Sequence, residues 1–197
     1  MKSICFLTLL SSLLLLQGCF DRNDGDKSLG ESTNNSEMIR ASDLKTDAKG
    51  LSLSFATIKT TYGNIVFRFY PNEAPNTTTR IIQLINQGFY DGLTFHRVVP
   101  GFVIQGGDPT GTGMSGSGQK LKAEFNNTPH IRGTVAMARA QDPDSADSQF
   151  YIALGTLPNL DKNYTVFGQV TEGLDLLEKI KKGDVMVSVV FTKDKGE

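Results

Sequence analysis

The chain has 197 residues, 39% apolar and 21% charged, which allows one folded domain with modest extensions and excludes wholesale disorder. Twenty basic and 21 acidic side chains leave a net charge of −1, and no basic tract stands out, so no nucleic-acid partner is expected. Cys5 and Cys19 both precede any segment able to form a core, and His96 and His130 are the only histidines. A disulfide framework or a cysteine-based metal site is thereby excluded for the domain, and no metal is expected.

In chain order, Lys2 is followed by an apolar run over residues 4–16, interrupted only by Thr8, Ser11 and Ser12. Crossing a bilayer takes about 20 apolar residues, so this shorter run reads as a secretory signal. It ends Leu16-Gln17-Gly18-Cys19, which resembles the lipobox of bacterial lipoproteins, where a cysteine after a small residue is acylated and becomes the mature N-terminus. That resemblance implies a signal peptide over 1–18 and lipidation of Cys19, with several acyl chains giving a stable anchor. It places the protein in a bacterial cell envelope, facing the periplasm or the cell surface. Phe20, where Asp would favour retention, points to outer-membrane sorting. Residues 19–50 are polar and lack apolar periodicity, so they cannot bury enough surface to offset ordering and form a flexible tether.

From residue 51 the pattern changes. Leu51, Leu53, Phe55 and Thr57 share one face of a strand, Thr61-Tyr62-Gly63-Asn64 is turn chemistry, and Ile65, Phe67 and Phe69 alternate on the returning strand. After Pro71 a helix is predicted, capped by Asn76 or a neighbouring Thr, with a stripe of Ile81, Leu84, Ile85 and Phe89 and a left-handed Gly88 at its end. Further strands are predicted near 94–99, 103–105, 134–138, 151–153, 165–170 and 185–191. A second helix is expected over 174–182, buried through Leu174, Leu177 and Ile180, with Glu172 and Asp175 at its start, Lys179, Lys181 and Lys182 at its end, and Gly183 closing it. Eight short strands and two helices over 51–197 predict a mainly β fold: a closed eight-stranded antiparallel barrel capped by two α-helices. Side chains fill a barrel of this size, so a site belongs on its outside.

Three segments are not generic barrel sequence. They are Phe95-His96-Arg97-Val98-Val99-Pro100-Gly101-Phe102-Val103-Ile104-Gln105-Gly106-Gly107-Asp108, then Gly133-Thr134-Val135-Ala136-Met137-Ala138-Arg139-Ala140 with Ser148-Gln149-Phe150-Tyr151-Ile152, and Leu160-Asp161-Lys162-Asn163-Tyr164-Thr165-Val166-Phe167-Gly168. Together they resemble the cyclophilins, a family of peptidyl-prolyl cis/trans isomerases, over the whole of 51–197. The resemblance implies Arg97 as the catalytic residue. It implies Phe102, Tyr151 and Leu160 as the walls of a proline pocket with Val103 at its edge, and Gln105 as a substrate hydrogen bonder that orients Arg97. Ala138 and Arg139 are implied as main-chain contacts to an extended peptide, with Gln149 closing the groove and Tyr164 standing where many members carry His. Tyr151 stands where Phe is usual. Asn159 stands where eukaryotic relatives carry the Trp that contacts cyclosporin, which implies weak cyclosporin binding.

The chemistry needs no cofactor. Rotation about an X-Pro bond is opposed by amide resonance, with a barrier of about 18–20 kcal/mol, and a fixed donor can stabilise the lone pair that twisting localises on nitrogen. The expected partners are therefore unfolded or extended proline-containing polypeptides, handled by a monomer. The competing readings are a proline-peptide-binding chaperone or adhesion module with little turnover, and a lipocalin-like carrier with an open lumen. Gly111-Thr112-Gly113-Met114-Ser115-Gly116 fits G-x-G-x-x-G, but no helical pattern follows, so it reads as a flexible loop. Asp142, Asp144 and Asp147 lack the glycine and distal Glu of a calcium loop and read as a solvated one. His96 is expected to be a structural hydrogen bonder, and His130 has no assigned role.

Overall fold

The computed structural model describes residues 54–193; the signal segment, Cys19, the tether, Leu51 and Leu53 lie outside them. The elements are β1 (Ser54–Thr60), β2 (Gly63–Phe69), α1 (Pro75–Asn86), β3 (Arg97–Val99), β4 (Val103–Gly106), β5 (Thr134–Met137), β6 (Phe150–Ala153), β7 (Val166–Glu172) and β8 (Ser188–Lys193), with short 3-10 turns between some of them. The eight strands form one curled antiparallel sheet in the order β3-β4-β6-β5-β7-β2-β1-β8. Its two ends meet through the segments just before β3 and β8. A bridge joins Thr94 to Val185, and Phe95 N and Met186 N donate to Asp184 O and Leu93 O, each at 2.8 Å. The fold is mainly β, as expected.

The interior is filled. Ile65, Phe67 and Phe69 of β2 face it, as the alternation predicts, and Phe67 and Phe69 meet Phe167 of β7 at ring-centroid distances of 6.1 and 6.3 Å. A lipocalin-like lumen finds no room among these rings. On β1, however, the buried residues are Ser54, Ala56 and Ile58, the parity opposite to Phe55 and Thr57. The register explains this. Ala56 pairs with Phe67 and Ile58 with Ile65, and cross-strand partners share a face, so the small Ala56 lies beside the aromatic cluster while Phe55 pairs with Arg68 outside.

Helix α1 buries Ile81, Ile82, Leu84 and Ile85. Its C-terminus is closed as predicted: Gly88 has φ 67°, and Phe89 N donates to Leu84 O at 3.0 Å and Gly88 N to Ile85 O at 2.9 Å, a Schellman pattern. Its N-terminus differs. Ala74 is the capping position and Pro75 the first helical residue, so neither Asn76 nor a Thr caps it. Glu124, from the connection between β4 and β5, accepts from Asn76 N (3.0 Å), Asn76 Nδ2 (2.8 Å) and Thr77 N (2.8 Å).

The second helical segment is a 3-10 helix, Leu174–Lys179, not an α-helix reaching residue 182. Ile180 is already extended, because the following residues must run out to pair with residues 93–95. Leu177 and Ile180 still reach the core. Among the described residues no helix is long and apolar enough to cross a membrane.

The connection between β4 and β5 is organised by carboxylates, contrary to the flexible loop expected at its glycine-rich turn, while Asp142 and Asp144, in the connection between β5 and β6, are exposed, as a solvated loop requires. Buried Asp108 accepts from Thr110 N (2.7 Å), Thr110 Oγ1 (2.8 Å), Ser115 N (3.3 Å) and Gly113 N, so the glycine-rich turn wraps one anion. Asp147 accepts from Ser117 N at 2.7 Å and Gly118 N at 3.0 Å, and Asp144 from Ala123 N at 2.9 Å. Asp142 caps the turn Pro143–Ser145 through Asp144 N. Gly107, with φ 88°, lies so close to Ser148 O that a Cβ there would overlap it.

Candidate active site

Strands β4, β5, β6 and β7 each send residues to both faces of the sheet. Ile104, Val135, Ile152 and Phe167 enter the main core, while Val103, Ala136, Tyr151 and Val166 join Leu160 in a second buried cluster. Phe102, Ala138 and Tyr164 pack against that second cluster. A cavity of about 230 Å3 opens on it, lined by Arg97, Phe102, Val103, Gln105, Ala138, Arg139, Tyr151, Leu160 and Tyr164. The tenth predicted residue, Gln149, lines an adjoining cavity of about 410 Å3 that shares Gln105, Ala138 and Arg139. The fold thus gathers all ten, from six separate stretches of chain, on the outside of the barrel. Asn159 is exposed and does not line the smaller cavity.

A chain of hydrogen bonds runs along one wall. The β3–β4 register sets Arg97 opposite Gln105, and the β4–β6 register sets Gln105 opposite Tyr151. Arg97 Nη1 donates to Gln105 Oε1 at 3.3 Å, Gln105 Nε2 to Gln149 Oε1 at 2.9 Å, and Gln149 Nε2 to Ser115 O at 2.8 Å. Each amide oxygen accepts and each amide nitrogen donates, so the carbonyl of Ser115 fixes both glutamines and presents Gln105 Oε1 to the guanidinium. Arg97 itself is exposed and lies 5.7 Å from the Phe102 ring centroid, leaving donors for a bound group.

Arg139 does more than its backbone suggested. Its Nε and Nη2 donate to Asn163 O at 3.1 and 3.0 Å, and its Nη1 to Ala140 O and Gln141 O at 2.9 and 3.0 Å. The guanidinium lies 4.9 Å from the Tyr164 ring centroid. It ties the segment after β5 to the loop carrying Tyr164, and its charge is occupied with carbonyls.

Two residues without an assigned role belong to the site's frame. Tyr151 is 5% exposed, and its hydroxyl lies 2.9 Å from His130 Nε2. His130 Nδ1 lies 3.0 Å from Asp161 Oδ1, which also accepts from His130 N at 2.8 Å. A carboxylate only accepts, so in the neutral imidazole Nδ1 carries the proton and Nε2 accepts from the tyrosine O–H. The His130 N–H, then its side chain, hold the Asp161 carboxyl below its ordinary range, and burial raises the Tyr151 phenol. The available signal was Tyr151 itself, since a tyrosine in a phenylalanine position needs a partner for its hydroxyl.

His96 departs from its expected role. It is buried beside Gly113, and neither ring nitrogen meets hydrogen-bond geometry with a protein group. Burial is the main cause lowering its pKa, with Arg97 adding to it against the opposing pull of Asp108 and of the neighbouring Gln149 side chain. Among the described residues no group of three or more His, Cys, Asp or Glu side chains is placed to hold a metal. The arrangement is an apolar cup with one exposed cation at its lip. It suits binding a ring and stabilising a twisted amide.

Residues 55–195 match the family model described as cyclophilin type peptidyl-prolyl cis-trans isomerase/CLD. A peptidyl-prolyl cis-trans isomerase of Helicobacter pylori (strain ATCC 700392 / 26695) is 47% identical over 143 residues, covering 71% of this chain and 87% of that protein. Peptidyl-prolyl cis-trans isomerase B of Bacillus subtilis (strain 168) is 48% identical over 127 residues, 64% of this chain and 88% of that one. Among solved structures, a cyclophilin type isomerase of Cryptosporidium parvum, crystallised in the presence of the dipeptide Ala-Pro, superposes with a TM-score of 0.66 at 30% identity. That match covers 71% of this chain and 99% of the other.

Proposed function

The chain belongs to the cyclophilin-type peptidyl-prolyl cis-trans isomerases, and on that footing we propose that it turns X-Pro bonds in polypeptides outside the cytoplasm, with Arg97 as its catalytic residue and Cys19 as its lipid anchor. The observation that carries the catalytic assignment is the pairing of the exposed Arg97 guanidinium, bonded to Gln105, with the apolar cup of Phe102, Val103, Tyr151 and Leu160.

The geometry supports the following roles. The cup holds the proline ring by excluding water from it. Rotation of the preceding carbonyl breaks amide resonance and leaves a lone pair on the proline nitrogen. A guanidinium N–H beside the cup donates to that lone pair and stabilises the twisted amide more than either planar form, which is the condition for acceleration. Gln105 restrains the guanidinium through its oxygen. The Ala138 N–H is already bonded to Gln149 O at 2.9 Å, so the Ala138 carbonyl is the group left for an extended substrate backbone. Nothing is transferred, and the nitrogen lone pair returns to conjugation when the amide flattens again.

An NMR exchange assay on a proline peptide tests the catalytic part, comparing the parent with Arg97→Ala. Loss of exchange enhancement at unchanged peptide affinity supports it, and parental enhancement overturns it. The anchor rests on the Leu16-Gln17-Gly18-Cys19 run. Mass spectrometry of the mature protein should find an acylated Cys19 at its N-terminus, and Cys19→Ser should move the protein out of the membrane fraction. An unmodified N-terminus elsewhere sinks the anchor and leaves the isomerase standing.

A further inference from the structure

The wall of the cup formed by Tyr151, Leu160 and Tyr164 has no covalent frame of its own, because the three come from β6, the turn Pro158–Leu160 and the loop before β7. One buried residue is tied to all three, to Tyr151 and Tyr164 directly and to Leu160 through its neighbours Asp161 and Leu157. His130 is 1% exposed. Its Nε2 receives the Tyr151 hydroxyl at 2.9 Å, and its Nδ1 and N hold Asp161, the residue after Leu160, at 3.0 and 2.8 Å. Its carbonyl accepts from Leu157 N at 2.8 Å, at the start of the same turn. Its ring meets Tyr164 edge-on at 6.4 Å between centroids.

We propose that His130 is a positioning residue of the proline cup, acting with Asp161 to set the Tyr151 ring and the Leu160 turn at the spacing that grips a proline ring. The inference rests on the reading that this cup takes proline. The argument is one of polar accounting. A buried phenol hydroxyl without a partner is costly, so Tyr151 is held only where an acceptor awaits it. The imidazole presents that acceptor in one direction because Asp161 fixes its tautomer and ring plane. A phenylalanine in this place would need no such support and would be free to follow the packing around it. Tyrosine at 151 and histidine at 130 therefore act as a pair. Their consequence falls on ground-state grip, because neither touches the rotating bond.

The test measures kcat and KM on a proline-containing peptide for four proteins: the parent, His130→Gln, Tyr151→Phe and the double variant His130→Leu/Tyr151→Phe. Glutamine carries its donor and acceptor on one terminal carbon and cannot place them where the two ring nitrogens lie, so it satisfies Asp161 or Tyr151 but not both, and His130→Gln should raise KM by about three- to tenfold and lower kcat by less. The double variant should recover most of that KM, because the apolar pair needs no hydrogen bond and Asp161, 32% exposed, can turn to water. A parental KM for His130→Gln, or a raised KM that the double variant does not recover, overturns the proposal. Should His130→Gln fail to fold, Tyr151→Phe decides. Removing the hydroxyl must shift the 15N resonance of His130 Nε2, and an unmoved resonance overturns the pairing. Binding of the parent to a proline peptide and to the same peptide with Ala for Pro, measured alongside, separates the two claims: no preference for proline removes the reading of the cup, while a null result at His130 removes only its role.

Discussion

Ile104 and Ile152 lie in the barrel, and their chain neighbours Val103 and Tyr151 lie outside it, yet all four are buried. On a strand with one solvated face the outer residue would be polar. Here the outer face of β4, β5 and β6 carries the buried Val103, Ala136 and Tyr151 in place of a solvated polar row, and its cover is incomplete, which is where the 230 Å3 cavity opens. The two clusters also end differently. The inner one closes on itself through the rings of Phe67, Phe69 and Phe167. The outer one ends in polar groups: the Tyr151 hydroxyl, the Gln105 amide and the Arg97 guanidinium. The inner face is built for stability and the outer for a guest, so substitutions on the two faces should separate melting from turnover.

The largest effect belongs to the inner face. Phe167→Ala removes a ring that is fully buried and should cost about 3–5 kcal/mol of unfolding free energy. Urea denaturation reads this directly, and the folded fraction should keep the parental kcat/KM. Activity lost from a fully folded Phe167→Ala protein would break the separation.

Arg97→Ala should show the reverse. Losing a donor aimed at the twisted state is worth about 2.7–4 kcal/mol of barrier, a hundred- to thousandfold in kcat. Because Arg97 is exposed, the melting point should stay within a degree or two, on the order of what surface changes give. Arg97→Lys should recover little, since an ammonium lacks the planar fork that can hold Gln105 and the substrate together.

Asp108 tests the comparison from the loop side. Burial alone would raise its pKa, but hydrogen bonds from Thr110, Ser115 and Gly113 outweigh this and bring it from 3.8 to about 2. A carboxyl depressed on folding stabilises the native state above its unfolded pKa, and that stability is lost as pH falls. Stability should therefore drop by about 2 kcal/mol between roughly pH 4 and pH 2. Asp108→Asn should flatten that part of the curve, seen in urea titrations at several pH values. Ser115, which anchors Gln149, belongs to the same loop, so KM should rise over the same interval.

A further comparison concerns the rim. Asn159 is exposed where the family resemblance implies an indole contact for cyclosporin. Asn159→Trp should tighten cyclosporin binding by about tenfold or more without altering turnover. Tight binding by the parent would mean the rim is complete without it.

Local pattern was legible and partner choice was not. The alternation on β2 and the stripe on α1 could be read because each face is decided within the element. The face of β1 could not, because its parity is set by the register with β2, where Ala56 must pair with Phe67. Helix character at residues 180–182 was overridden by the closure of the sheet at Thr94 and Val185. The ten residues around the two adjoining cavities were legible through motif resemblance alone; composition and periodicity would have left Phe102, Tyr151 and Leu160 as core. His130 and Asp161 were missed because their bonds join residues 130, 151 and 161, and no local pattern marks such a set.

The smallest effect concerns Glu124, whose role is invisible in the sequence because its partners lie 47 and 48 positions away. Its carboxylate receives the Asn76 and Thr77 N–H groups that a helix start leaves unpaired, and its negative charge faces the positive end of α1. Glu124→Gln keeps one acceptor oxygen but loses the charge and the second acceptor. The cost should be about 1 kcal/mol, within the range for losing a cap. Because α1 packs Ile81, Ile82, Leu84 and Ile85 onto the main core, that cost should fall on the inner face alone, lowering the melting point at constant kcat and KM. The connection that carries Glu124 also carries Ser115, however, and through it Gln149 and Gln105. Should Glu124→Gln raise KM as well, the loop transmits strain from the helix to the groove, and the two faces of the sheet are not independent.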